Sequence, residues 1–363
     1  MTQLPIRKDL IGRSPYGAPQ IDVPIRLNTN ENPFGPSPEL VAELAKVVSD
    51  LGSELNRYPD RDATELRADL ATYLNSESQV NLTAKNIWPA NGSNEVMQQL
   101  LQLFGGPEKS LVTFDPTYSM YEDYCRNTFT KYLSVSRNKD FTINQKVIDS
   151  ALALNPDIIV LTSPNNPTGT VIEFSDIDYL LRTFSGVLIV DEAYAEFRPV
   201  GSPSALSKLD SNPGLIVART MSKAFSFAGA RIGYVAASPE VVEAIQLVRL
   251  PYHLSTVTQA LARAALRFSD QLQSQVNLLR QERDDLAIWF ENVGFDVAPS
   301  GANFLLFGTF ADRNLVWEQL VEQGVLIRQT GPDGWLRVSI GTPEENLAFK
   351  TALLHVTNRT NGK

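Results

Sequence analysis

Apolar positions along this chain fall into two regimes. Between about residues 110 and 240, short unbroken apolar runs alternate with segments of mixed polarity: L-V-T-F (111–114), I-I-V-L-T (158–162), V-L-I-V (187–190), L-I-V-A (215–218) and Y-V-A-A (234–237). Runs without polar alternation suit strands buried on both faces. Helical segments between them imply crossover connections and a largely parallel sheet. After Leu254 the pattern changes. Two long segments of helical period, about 256–268 and 270–292, lead into alternating F-D-V-A-P and N-F-L-L-F. A helix over 314–323, strands at V-L-I-R and W-L-R-V-S-I and a last helix complete a smaller α+β unit.

Upstream of the sheet, Leu66, Leu70, Tyr73 and Leu74 mark a helix that starts near Asp62. The segment N-G-S-N-E-V-M-Q-Q-L-L-Q-L-F-G-G-P (91–107) reads as a glycine turn, a helix and a Gly-Gly-Pro stop. The first 38 residues hold seven prolines, which predicts an extended arm crossing a surface. That arm carries L-N-T-N-E-N-P-F-G (27–35), too polar for core and dense in asparagine. The expected division is an arm over 1–42, a large α/β domain over 43–254 and a small domain over 255–363.

With 363 residues the chain is long enough for two cores. Its formal charge of −9 and lack of a Lys/Arg run argue against nucleic-acid partners. The first residues lack the apolar core of a signal peptide, and no apolar stretch reaches the roughly 18 residues of a membrane span. A cytoplasmic enzyme acting on small molecules is the expectation. Cys125 is the only cysteine, and His253 and His355 are the only histidines. A histidine-based metal site and a serine–histidine triad are therefore disfavoured, and no metal is expected.

The chemistry gathers after the apolar runs, where open α/β sheets place ligands. V-L-I-V ends in Asp191, with Tyr194 three residues on; L-I-V-A-R-T is followed by Ser222 and Lys223, and then by A-G-A-R-I-G with Arg231. A lysine amine forms a Schiff base with an aldehyde and moves protons in its neutral form. A carboxylate at a buried strand end is costly unless it meets a cation, such as a protonated pyridine nitrogen. Arginine and a serine hydroxyl suit a phosphate, which small neighbours let the backbone approach. Together these groups are what an enzyme needs to hold pyridoxal phosphate. S-P-N-N-P-T-G (163–169) adds Asn166 as a donor to the same ring oxygen as Tyr194. Gly92, Ser93 and Asn94 open a helix whose N–H groups favour an anion, and Tyr118 is placed to stack on a flat ring. Each has an ordinary alternative: a surface lysine, a helix cap, a proline turn, a packed tyrosine.

N-G-S-N-E, P-T-Y-S-M-Y, S-P-N-N-P-T-G, V-D-E-A-Y and M-S-K-A-F-S-F-A-G-A-R-I-G occur in an order that resembles the fold-type I, pyridoxal-phosphate-dependent aminotransferases. L-N-T-N-E-N-P-F-G, N-R-Y-P-D-R-D, V-R-L-P-Y-H-L-S and the late E-E-N are similar to the histidinol-phosphate aminotransferases, in their actinobacterial form. The resemblance spans nearly the whole chain. It implies a large domain with a mostly parallel seven-stranded sheet, a homodimer with the active site at the interface, and transfer between L-histidinol phosphate and 2-oxoglutarate in histidine biosynthesis. An aromatic amino-acid aminotransferase of phenylalanine type is the alternative. It makes Lys223 the Schiff-base lysine and Asp191 the partner of the ring nitrogen. Tyr58 matches the residue that reaches the partner subunit's cofactor phosphate. Tyr16, Asn30, Asn166, Arg328 and Arg337 match substrate positions, and two arginines with a phenol suit a dianionic phosphate. At 121 the resemblance leads us to expect histidine, where this chain has tyrosine, and Trp335 is a bulky neighbour to Arg337.

Overall fold

The computed structural model describes residues 4–358. The arm contributes strand β1 (Ile25–Arg26) and runs into helix α1 (Pro38–Leu51), whose first turn is capped by Ser37 Oγ accepting from the Leu40 N–H. Helix α2 (Thr64–Ser78) buries Leu66, Leu70 and Leu74 one turn apart, as the spacing predicts. Then come β2 (Ile87–Ala90), α3 (Ser93–Phe104), β3 (Ser110–Asp115), α4 (Met120–Thr128), β4 (Lys131–Ser136) and α5 (Gln145–Leu152). The pattern continues with β5 (Ile158–Thr162), α6 (Phe174–Thr183), β6 (Val187–Asp191), β7 (Leu215–Thr220), β8 (Gly233–Ala237) and α7 (Pro239–Ile245).

Seven of these strands form one sheet in the order β2-β8-β7-β6-β5-β3-β4, in which only β8 runs against its neighbours. The five apolar runs read from the sequence are β3, β5, β6, β7 and β8. Strand β5 shows why they carry no polar alternation. Ile159 and Leu161 enter one core and Ile158 and Val160 enter the other, so both faces are covered. The two strands not read from the sequence are the edges. β2 contains Pro89, whose missing N–H is tolerated at an edge. β4 (K-Y-L-S-V-S) is only half-buried and lacks a continuous apolar signal.

Helices α8 (Thr256–Leu266) and α9 (Ser269–Asn292) follow, then β9 (Asp296–Val297), β10 (Phe304–Gly308), α10 (Arg313–Glu322), β11 (Val325–Leu326), β12 (Leu336–Ser339) and α11 (Pro343–Thr357). β12, β10 and β9 make a small antiparallel sheet. α8 packs on α1 and α2, and Arg263 in it reaches Asp69 of α2 at 2.7 Å. α8, which follows the expected boundary at residue 254, thus lies against helices that precede the sheet. The arm pairs β1 with β11 in parallel, and Leu27 exchanges backbone hydrogen bonds with Leu326 and Ser339. It thereby lies along the small unit and passes over the ends of the central strands.

Candidate active site

The parallel strands end together, and a cavity of about 250 Å³ opens at their C-terminal ends, lined by arm, large-unit and small-unit residues. Thr162, Asp191 and Thr220 come from the ends of β5, β6 and β7. Asn28, Thr29 and Asn30 come from the arm, and Arg328 and Arg337 from the small unit. A larger groove of about 1030 Å³ beside α2 and α9 holds none of the candidate residues.

Lys223 follows β7 in an irregular turn, and its Nζ donates to the Thr29 carbonyl at 3.0 Å. Burial, with Arg337 and Arg231 nearby, pulls its amine down to about 8 against a smaller opposing pull from Glu31. Asp191 is buried at the end of β6. Its Oδ2 accepts from the Tyr121 hydroxyl at 2.7 Å and its Oδ1 from the Ala193 N–H at 3.1 Å. Burial pushes this carboxyl upward, while the two donors pull it back. Tyr121 is also 2.8 Å from Thr162 Oγ1. The tyrosine that stands where we expected histidine is thus a buried donor behind the strand-end carboxylate. Its position in chemistry was hidden because nothing local in Y-S-M-Y ties residue 121 to residue 191.

The turn after Asp191 is held from below. Arg219 of β7 is fully buried, with Glu192 at 2.7 Å and Glu196 at 3.3 Å. Those pairs flank Tyr194 in the chain, and its ring meets Phe304 edge-on at 5.1 Å between centroids. The Tyr194 hydroxyl accepts from Asn30 Nδ2 at 3.0 Å and from Asn166 Nδ2 at 3.4 Å. Asn166 Oδ1 in turn accepts from Arg337 Nη1 at 2.5 Å.

At the opposite end, Gly92 introduces α3 with φ 83°, and a Cβ there would lie 2.5 Å from Arg231 Nη2. A Cβ on Gly233 would lie 2.2 Å from the Ser93 nitrogen. The guanidinium and the first amides of α3 can share one small space only because these positions are glycine. Ser222 sits beside them, its Oγ accepting from Thr220 Oγ1 at 3.0 Å. Asn94 Oδ1 accepts from the hydroxyls of Tyr124 (2.8 Å) and Tyr118 (3.4 Å), and its backbone N–H lies in the first turn of α3, where N–H groups have no intrahelical partner and suit an anion.

The substrate-side arginines are neighbours through an antiparallel bridge between Arg328 and Arg337. Arg337 is buried, donates to the Asn28 carbonyl at 2.9 Å and leaves Nε without a partner among the described residues; burial brings its guanidinium down to about 10. Arg328 lies nearer the mouth, over the Tyr16 ring at 5.9 Å, with Gly17 O as acceptor. Tyr16 meets Tyr118 edge-on at 6.4 Å.

Two other residues singled out in the sequence lie outside this cavity. Tyr58 is 81% exposed, stacked on Tyr252 and outside the cavity. Trp335 packs against Phe141 rather than lining the cavity. Thr29, Ala193 and Tyr124 were not read as site residues. They act through backbone atoms or from a neighbouring helix, for which a sequence carries no signal.

The donor set fits pyridoxal 5'-phosphate: an anion cradle at one end, a buried carboxylate, a flat slot beside Tyr118, and an amine of lowered basicity between them. Comparison with known proteins agrees. The family model for aminotransferase class I and II matches residues 22–352. A histidinol-phosphate aminotransferase of Thermobifida fusca is 54% identical, over 98% of this chain and 96% of its own length. One from Burkholderia lata is 52% identical over the same shares. The solved histidinol-phosphate aminotransferase of Sinorhizobium meliloti, in complex with pyridoxal-5'-phosphate, superposes with a TM-score of 0.83 at 24% identity, covering 93% of this chain and 91% of that one.

Proposed function

This chain belongs to the class I and II aminotransferases, and we propose that it moves an amino group between L-histidinol phosphate and 2-oxoglutarate in histidine biosynthesis. Its cofactor is pyridoxal 5'-phosphate. The observation that carries the substrate reading is the bridged pair Arg328 and Arg337 in one cavity with Tyr16. Their partners are carbonyl and amide oxygens rather than carboxylates, so both guanidiniums are available to an anion. Two arginines and a phenol match a phosphate dianion, and one arginine suffices for the carboxylates of glutamate in the other half-reaction.

When bound, the cofactor supplies a conjugated ring that accepts the electron pair left when the substrate carbon gives up its proton. The residues divide the remaining work. Ser222, Arg231 and the first amides of α3 hold the phosphate. Asp191 keeps the ring nitrogen protonated, and Tyr194 with Asn166 holds the ring oxygen. Tyr118 covers one ring face. Lys223 would hold the cofactor, and its amine, once free, would move the proton at the substrate carbon as base and acid. The arm closes the cavity over these groups and excludes water. A cytoplasmic setting goes with this role; among the described residues no helix is long and apolar enough to cross a membrane.

Substrate choice is tested by following the cofactor spectrum under single-turnover conditions. Histidinol phosphate and glutamate are expected to convert it, with phenylalanine and tyrosine much slower. Conversion by phenylalanine with none by histidinol phosphate sinks the assignment in favour of an aromatic aminotransferase. Arg328→Ala is expected to raise KM for histidinol phosphate by roughly 10- to 100-fold, the worth of a hydrogen bond to a charged group.

The functional unit in this proposal is a homodimer. Leu55, Tyr58, Leu247, Leu250 and Tyr252 are exposed, and Tyr58 and Tyr252 stack in a patch that suits a second copy. Tyr58 would then serve the neighbour's phosphate cradle. Two inactive variants, Tyr58→Ala and Lys223→Ala, test this when co-refolded. A mixed dimer has one site with both Lys223 and the neighbour's Tyr58 intact, so activity should return. A mixture no more active than its parents refutes a shared site.

A further inference from the structure

Asn30 was expected to contact the substrate, yet in the structure both ends of its amide are already engaged. It is buried in the arm, with φ 55°. Ser339 Oγ accepts from the Asn30 backbone N–H at 2.9 Å, so the hydroxyl's own proton goes to Asn30 Oδ1, 3.1 Å away. That assignment fixes the amide orientation and leaves Nδ2 pointing at Tyr194, 3.0 Å from the hydroxyl. The Asn30 carbonyl is held separately by Asn303 Nδ2 at 3.0 Å. On the other side, Arg337 occupies Asn166 Oδ1, which likewise turns that amide's Nδ2 towards Tyr194. A phenol oxygen has two acceptor positions and one proton. With both acceptor positions facing amide N–H groups, the proton of Tyr194 has only the cavity to point into.

We propose that Asn30 is a positioning residue rather than a substrate contact: its amide fills one acceptor position of Tyr194 and so commits that hydroxyl to donate to the cofactor's ring oxygen. This rests on the reading of the cavity as a pyridoxal-phosphate site. A donor to the ring oxygen favours the more negative, deprotonated form of the bound cofactor. The charged and titratable groups that face Tyr194 are Arg337 from β12, Asp191 from β6, Tyr16 from the arm and Tyr118 ahead of α4. None of them is altered when the Asn30 amide is removed, so a change in the cofactor's titration reports the amide.

The test compares wild-type holoenzyme with Asn30→Gly and Ser339→Ala. Glycine keeps the left-handed backbone at position 30 while deleting the amide. The pH midpoint of the cofactor absorbance change is read without substrate, and kcat and KM are measured for both substrate pairs. Asn30→Gly is expected to raise the midpoint by roughly 0.5–1 pH unit, the size of one net hydrogen bond. Ser339→Ala, which frees the amide to turn, should shift it the same way by less. KM should stay within about twofold while kcat falls, because an interaction with the cofactor rather than with substrate has been lost. An unchanged or lowered midpoint together with a raised KM makes Asn30 a substrate contact and overturns the proposal. If Asn30→Gly fails to retain cofactor, Ser339→Ala carries the same two outcomes. A wild-type enzyme that titrates normally but ignores histidinol phosphate refutes the substrate assignment alone, since the midpoint is measured in its absence.

Discussion

Replacing Lys223 by alanine is expected to lower turnover by at least about 10⁴-fold, the upper end of what a positioned acid–base group contributes. The loss combines two roles that one amine performs, anchoring the cofactor and shuttling the proton. The physical requirement for both is an amine that is neutral near working pH. An ordinary lysine is under about 1% neutral at pH 8. Here burial and the two arginines bring the amine down to about 8, so half is neutral at that pH. The apoenzyme should therefore take up pyridoxal phosphate at a rate that rises with pH and levels off above about 8. A rate that keeps climbing to pH 10 contradicts the lowered basicity. Borohydride treatment of the yellow wild type should place the label on residue 223. A label on another lysine, or an alanine variant within tenfold of wild type, removes Lys223 from the chemistry.

The second large effect is expected at Asp191. An opposite charge close to a titrating group shifts its pKa by about 1–3 units, so losing this carboxylate should cost roughly 10- to 10³-fold in kcat. Asp191→Asn is the informative change. Its side-chain oxygen can still accept from Tyr121, so the change removes the charge and, at the nitrogen that replaces Oδ1, the acceptor for the Ala193 N–H. Asp191→Ala removes both acceptors, leaving the buried Tyr121 hydroxyl only Thr162 Oγ1 and the Ala193 N–H without its acceptor, and should additionally destabilise the fold by about 1–3 kcal/mol. The two are separated by thermal unfolding: a kcat loss in the asparagine variant with an unchanged melting temperature assigns the effect to charge. An asparagine variant with wild-type kcat removes Asp191 from any role at the ring nitrogen.

Both residues could be read from the chain because strand ends are legible. Asp191 closes an unbroken apolar run, and Lys223 follows another by a few residues. A doubly covered parallel sheet writes itself as continuous apolar runs, and its chemistry collects just after them. The same rule fails at the edges. β2 carries a proline and β4 is half-exposed, so neither shows the signal of a buried strand. It fails also where a residue works by facing another far along the chain. Tyr121 was noticed only as a departure, and its hydrogen bond to Asp191 spans 70 positions. Asn30 and Tyr194 are 164 apart, and the motif around Asn30 points equally to substrate and to structure. Tyr58, which the resemblance assigns to a partner's site, lies outside the cavity of its own chain.

Hydrophobic periodicity is a local property, so the sequence by itself determined the sheet's central strands and the order of the segments that end at the cavity. Which polar groups face one another is not local. It depends on where the arm, the strand ends and the small unit meet. Only the tertiary structure decided that the Thr29 carbonyl holds the Lys223 amine, that Tyr121 backs Asp191, and that the Asn30 amide donates to Tyr194.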